Sequence, residues 1–203
     1  MSTHPPIWSL VINAEIQNIQ ESIDNGANID AKVFYNTDGV MRLMSSIHIA
    51  VILGYANIVK LLLENDADVS NPDDSGRTPL YYAVAHNEEV CLELLLRYGS
   101  DVNNEEYGGM PALHRAASLP NVNMVRMLIR YNANVLTRDH YGHLARDWAA
   151  LVMDHEIYDI LQDEEDRQLR SLAFAMAHHP RLGFESMVKA LDPEVLRMVL
   201  DRV

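Results

Sequence analysis

Apolar and polar positions along the chain recur with a period of 33 residues. The clearest markers of the period are Ile47, Leu80, Leu113 and Arg146, each followed by alanine three residues later. A fixed period of this length indicates stacked repeats, in which each copy buries its apolar face only against the next one. We therefore predict an all-α solenoid of helix-turn-helix units.

The third copy shows most clearly where the helices begin and end. Thr78 can cap a helix with its hydroxyl, and Pro79 suits the first helical position because its missing N–H has no partner to lose there. We predict a short helix over 80–86 and a longer one over 89–97. The longer helix is predicted to bury one face, formed by Val90, Leu94 and Leu95.

The copies resemble the ankyrin repeat, whose pattern is Gly-x-Thr-Pro-Leu-His-x-Ala-Ala followed by Leu-Leu-x-x-Gly-Ala-Asp-x-Asn. The third copy has Gly76-Arg77-Thr78-Pro79-Leu80, and the fourth has Ala112-Leu113-His114-Arg115-Ala116-Ala117. The resemblance covers 1–165 and implies an ankyrin-repeat solenoid with β-turn fingers. The repeats fall at about 3–30, 40–72, 73–105, 106–138 and 139–165.

An insertion separates the first two copies. Ile7 and Ile47 are 40 residues apart, so the segment 31–44 carries seven residues beyond the period. Its β-prone arms flank an Asp38-Gly39 turn signal, which predicts an elongated finger. Two roles stay open for it: gripping a partner, or folding back over the degenerate first repeat as a lid. The residues that would serve either role are Phe34, Tyr35, Val40 and Met41.

The segment 166–203 has lost the period. We predict that the acidic cluster at 163–166 opens a new helix, and that Pro193 begins a second one. The tail weakly resembles the box of suppressor-of-cytokine-signalling proteins and the F-box-like end of poxvirus ankyrin proteins. Either resemblance implies recruitment of a cullin-type ubiquitin ligase. The alternative is a C-terminal helical cap over the last repeat.

Composition narrows the class of protein. With 16 Lys+Arg against 29 Asp+Glu, the net charge is −13, so we expect no nucleic-acid partner and at most a bias toward basic proteins. The single Cys91 lies in an apolar helix and suits a buried thiol in a reducing compartment. Residues 1–6 lack a signal segment, and no apolar run is long enough for a membrane span. We expect an intracellular monomer, cytoplasmic or nuclear, without a membrane partner.

Motifs of catalysis and metal binding are missing from the sequence. We find no glycine-rich phosphate loop, no His-Glu-x-x-His and no paired cysteines. We therefore expect no enzyme activity, no cofactor and no metal. His48 and His114 occupy the histidine position of the ankyrin pattern, where the resemblance implies that the imidazole bridges backbone groups of neighbouring loops.

The resemblance also implies a partner-binding surface on the concave face and the finger loops. Carried over by position, the candidate residues are Asp74, Ser75, Arg77, His86, Tyr107, Met110, Leu119, His140, Tyr141 and His143. Asn103 matches a spacing favoured by asparaginyl hydroxylases, or it simply hydrogen-bonds its turn. We predict a non-enzymatic scaffold for protein–protein interaction; the alternative is a substrate-recruiting adaptor of a cullin-type ubiquitin ligase acting through 166–203.

Overall fold

The computed structural model describes residues 5–104, 110–178 and 193–200. Within them, helices follow one another in pairs joined by tight turns. The pairs are α1 (Ile7–Ile12) with α2 (Ile16–Asp24), α3 (Ser46–Ile52) with α4 (Ala56–Glu64), α5 (Pro79–Ala85) with α6 (Glu89–Arg97), α7 (Ala112–Ala117) with α8 (Val122–Arg130), and α9 (Ala145–Leu151) with α10 (His155–His178). A last helix, α11 (Pro193–Leu200), lies near the end of the tail.

The helix pairs stack into two rows. The first helices α1, α3, α5, α7 and α9 contact one another in chain order and form what we call the first-helix row. Behind it, α4, α6, α8 and α10 form a second row. The marker residues Ile47, Leu80 and Leu113 are each 1% exposed in the core between the rows. The predicted helical solenoid is confirmed.

The third repeat tests the local predictions in detail. The Thr78 hydroxyl accepts a hydrogen bond from the Tyr81 amide at 3.4 Å, and Pro79 is the first helical residue. The second helix has the predicted bounds, and of its predicted buried face Leu95 is buried and Leu94 packs against the core, but the prediction for Val90 is wrong. Val90 is 63% exposed, and the buried residues are Cys91, Leu92, Leu95 and Leu96. Val90 precedes this set by one position, which turns it about 100° around the helix toward solvent.

The insertion forms an antiparallel hairpin, as the turn signal indicated. Strand β1 (Lys32–Thr37) pairs with β2 (Val40–Ser45), and Thr37 lies opposite Val40 at the tip. Asp38 and Gly39 both have positive φ, of 53° and 82°. This backbone belongs to the two-residue turn whose twist matches the strands, and Gly39 adopts it without a Cβ penalty.

The acidic cluster does not open a helix, so that prediction is wrong. Instead α10 runs without a break from His155 to His178, and residues 163–166 lie in its middle. The Glu165 carboxylate is almost fully buried and lies 2.8 Å from Arg146 Nη1 on α9. This ion pair gives the arginine at the marker position of the last repeat a buried partner, and it joins α9 to α10 within that repeat.

The tail packs on itself and on the last repeat. Leu169 and Ala173 are buried on α10. Helix α11 begins at Pro193, as predicted, and contacts α10. Its Val195 and Val199 are 3% and 0% exposed. The apolar face of α11 is therefore used within the chain.

Candidate protein-binding surface

A buried aspartate fixes the finger loop of the third repeat, residues 73–77. One Asp73 carboxylate oxygen accepts hydrogen bonds from the Ser75 and Arg77 amides, both at 2.8 Å. The other accepts from the Tyr82 hydroxyl at 2.6 Å. Burial, and then the Asp73 carboxylate, raise the pKa of Tyr82, so the phenol remains a donor. The loop is held from within by the helix that follows it.

The finger loop of the fifth repeat, residues 139–143, repeats this arrangement. Asp139 accepts from the Tyr141 and His143 amides at 2.9 Å and from the Trp148 indole N–H at 2.8 Å. Burial alone would raise the pKa of the Asp139 carboxyl, but these donors outweigh it and hold the pKa below its usual value. Tyr82 and Trp148 thus both hold a finger loop from within the fold.

Two histidines join successive repeats. The Nδ1 atom of His48 accepts from the Ser45 amide, and its Nε2 lies 3.3 Å from the Arg77 carbonyl of the next finger loop. His114 makes the matching contact, 3.0 Å from the His143 carbonyl. Because a carbonyl only accepts, Nε2 carries the proton in both rings. Burial lowers the pKa of His48 to about 4 and also lowers that of His114, so both are neutral.

Of the predicted aromatic contacts that the structure describes, the most exposed lies on the fifth finger loop. Tyr141 is 72% exposed. Its ring lies edge-on to His140 at 5.8 Å and tilted against His143 at 6.3 Å, and His143 in turn meets Trp148 at 6.2 Å. The loop therefore holds a continuous group of rings whose outer members face solvent.

The other predicted contact residues are less prominent. Asp74 is exposed, whereas Ser75, Arg77, His86, Met110 and Leu119 are half-buried. The His86 ring stacks 6.2 Å from Tyr82, and Leu119 packs against the core. Tyr107 lies outside the described residues.

The hairpin has two different faces. Phe34 and Met41 share one of them, and they are 64% and 54% exposed. Tyr35 lies on the other face, half-buried against the core, whereas Val40 on that face is 46% exposed. Two tethers hold the hairpin to residues 72–75, where the second repeat meets the third: Arg42 Nη1 donates to Ser75 Oγ, and Lys32 Nζ donates to the Pro72 carbonyl, both at 2.6 Å. Within the described residues no hydrogen bond joins the hairpin to the first repeat, and both roles predicted for the hairpin stay open.

A cavity between the hairpin and the first-helix row contains arginines that the sequence did not single out. Arg42 and Arg115 line it together with Arg77. One signal in the sequence pointed to Arg115: it stands at the repeat position that Tyr82 and Trp148 occupy in the neighbouring copies. No comparable signal marked Arg42, because it lies in the insertion.

Asn103 joins two turns. Its side-chain amide donates to the Asn132 carbonyl at 3.1 Å and accepts from the Asn134 amide at 2.8 Å. These contacts give it the hydrogen-bonding role expected of its position, and hydroxylation stays a prediction.

Metal and membrane sites were also sought. Over the described ranges, no three His, Cys, Asp or Glu side chains gather as metal ligands would. Nor does any helix in these ranges combine the length and the apolar character that crossing a bilayer requires.

The stacked helix pairs form a repeat solenoid. Buried aspartates and histidines fix its finger loops by hydrogen bonds, and exposed side chains of these loops lie along one edge of the stack. A family model for ankyrin repeats (3 copies) matches residues 11–106, and one for a single ankyrin repeat matches residues 108–140. Together they cover more than half of the chain, which therefore belongs to the ankyrin-repeat family. Proteins of this family are generally interaction modules without enzyme activity, and the fold is a scaffold for protein–protein interaction. Among curated proteins, no match to the chain was found.

Proposed function

We propose that the chain binds a protein partner through the concave face of the array, formed by the finger loops, the hairpin and the first-helix row. The observation that carries the proposal is Tyr141, which is 72% exposed on a loop fixed by Asp139. A tyrosine held in place before binding offers a large contact area and loses little conformational entropy when it docks. Exposed aromatic residues of this kind are frequent energetic centres of interfaces.

The hairpin supports the same surface from the other end of the array. Phe34 and Met41 extend side by side from one face of a tethered two-stranded element. An apolar pair held on a fixed strand suits contact with a partner better than isolated exposed residues do. We propose that the partner contacts both the hairpin and the fifth finger loop.

Site-specific photo-crosslinking tests this surface in cells. A benzophenone amino acid at position 141 should give covalent adducts with a partner, and the same group at Val90 should not, because Val90 is 63% exposed but lies on the second row. Substitution of Phe34 by Ala should weaken the adducts from position 141. Equal adducts from both positions would reject the concave face as the binding surface.

A pair of matched substitutions separates binding from stability. Tyr141→Ala should reduce partner capture, whereas Tyr98→Ala, at the end of α6 and 41% exposed, should leave it unchanged. Both variants should keep the free energy of unfolding within about 0.5 kcal/mol of the wild type. A large loss of stability in Tyr141→Ala would show that this ring is a packing residue.

For the tail we propose the cap role, supported by the buried Val195 and Val199 of α11. The ubiquitin-ligase adaptor has weaker support, since it rests on the resemblance of 166–203 alone. Cutting the chain at 165 would divide α10, so the full chain is needed for the test. Leu200 is 48% exposed, and Leu200→Asp should abolish co-purification of cullin components if the tail recruits them. If co-purified cullin is absent, or is unaffected by this change, the adaptor role fails.

We further propose that the chain acts as a non-enzymatic monomer inside the cell, in the cytoplasm or nucleus. These proposals follow from the composition and the motifs discussed above. Sedimentation and fractionation of tagged full-length protein test them.

A further inference from the structure

A cavity of about 240 Å³ lies between the hairpin and the first-helix row. Its walls come from three parts of the fold: the hairpin supplies Asp38 and Arg42, the third repeat supplies Arg77 and Tyr81, and α7 supplies Arg115. It opens on the side of the array to which we assign partner binding. A ligand group that enters it would therefore touch the hairpin and two repeats at once.

Three arginines line this cavity. Among the described residues, no ion pair involves Arg42, Arg77 or Arg115. Arg42 donates to the Ser75 hydroxyl, and the Arg77 guanidinium lies 4.9 Å from the centre of the Tyr81 ring. Neither contact neutralises a charge.

The arginines are also incompletely hydrogen-bonded. The Nε atoms of Arg77 and Arg115 are buried, and over the residues that the structure describes they have no hydrogen-bond partner. A buried donor on a charged group is costly to leave unsatisfied, so an acceptor that reached it would be bound favourably. The matching acceptor is an oxyanion, since planar guanidinium groups pair with such groups through two parallel hydrogen bonds.

Local charge in the cavity opposes that of the whole chain. The net charge is −13, yet this cavity gathers three arginines and Asp38. The neighbouring Asp73 is already engaged by two loop amides and the Tyr82 hydroxyl. Asp38 would repel a doubly charged phosphate more than a singly charged carboxylate, which makes a carboxylate the better match.

We propose that this cavity receives an aspartate or glutamate side chain from an acidic segment of the protein partner. The inference rests on the proposed binding through the concave face and adds a chemical preference to it. It also reverses the expectation from composition, which favoured a basic partner. The overall charge reflects the entire surface, whereas recognition here depends on one site where like charges are gathered.

Binding of a short acidic peptide to the full chain tests the proposal. The probe is a capped peptide with three glutamates flanked by glycines, and its control carries glutamine at the same three positions. Titration into ¹⁵N-labelled protein should shift the Nε–Hε resonances of Arg77 and Arg115 with the glutamate peptide only. Arg115→Gln should weaken peptide binding roughly tenfold, the loss expected for one charge-assisted hydrogen bond.

Arg97→Gln provides the matched control, because it removes the same charge from an exposed position on α6. It should leave the peptide affinity unchanged, and circular dichroism should show that both variants are folded. An equal loss of peptide affinity in Arg115→Gln and Arg97→Gln would overturn the proposal, and so would unchanged Nε–Hε resonances of Arg77 and Arg115 on titration with the glutamate peptide. So would tighter binding of a phosphoserine peptide than of the glutamate peptide, which would assign the cavity to phosphate.

The two proposals can fail separately. Tyr141→Ala should leave binding of the glutamate peptide intact, because Tyr141 is not part of the cavity lining. Loss of the peptide signal with persistent crosslinking from position 141 would reject the acidic preference alone. Peptide binding without crosslinking from position 141 would instead reject the wider concave-face interface.

Discussion

Because the imidazole of His48 is buried, we expect the free energy of unfolding of the array to decrease as the pH is lowered below 7. In the folded chain this ring is fully buried, and burial lowers its pKa from 6.5 to about 4. In the unfolded chain this imidazole binds a proton near pH 6.5, whereas in the folded chain it binds one only near pH 4. His48 therefore contributes stability above pH 6.5 that is lost progressively as the pH falls toward 4.

The size of the effect follows from the two pKa values. Between the unfolded and folded pKa, each pH unit removes about 1.4 kcal/mol. From pH 7.5 to pH 5.0 the loss from His48 alone comes to about 2 kcal/mol. His114 acts in the same direction, since burial lowers its pKa as well.

Urea unfolding of the wild type and His48→Gln at both pH values measures this contribution. The variant should be less stable at pH 7.5, because it loses the contacts with Ser45 and Arg77. Between pH 7.5 and 5.0 it should lose about 2 kcal/mol less than the wild type does. His155→Gln controls for removing an imidazole from an exposed position. If the wild type and His48→Gln lose equal stability, His48 is not the buried neutral link between repeats.

The other predictions concern an ion pair, a thiol and a turn. Arg146→Met should destabilise the chain by about 3 kcal/mol, because it removes the partner at 2.8 Å from the buried Glu165 carboxylate. Arg126→Met, at an exposed ion pair, should cost less than about 1 kcal/mol in the same denaturant assay. Burial raises the pKa of Cys91 to about 12, so a thiol reagent at pH 8 should label it only at the rate of unfolding; rapid labelling of native protein would contradict this. Gly39→Ala should destabilise the hairpin by about 1 kcal/mol, since φ is 82° there, and amide exchange in 32–45 should rise; unchanged exchange would argue against the strained turn.

Local predictions were correct where the residues that cause a helix end or a turn lie together in one short segment of the chain. Thr78 and Pro79 begin α5, and α6 spans 89–97, because capping and helix periodicity depend on near neighbours. The Asp38-Gly39 turn likewise follows from backbone preferences of two residues. The buried face of α6 was misjudged at Val90 because periodicity gives the spacing of a face more reliably than its direction.

The sequence by itself determined the repeat class and the number of residues per step, because successive copies place the same residue types at the same spacing, and it determined the position of the hairpin from the residues of one segment. Tertiary structure alone decided which side chains meet. It placed the Glu165 carboxylate against Arg146 across the α9–α10 contact. It also brought Arg42, Arg77 and Arg115 to one cavity from three different elements. Such convergence depends on how successive repeats are rotated and stacked, and no local pattern records that geometry.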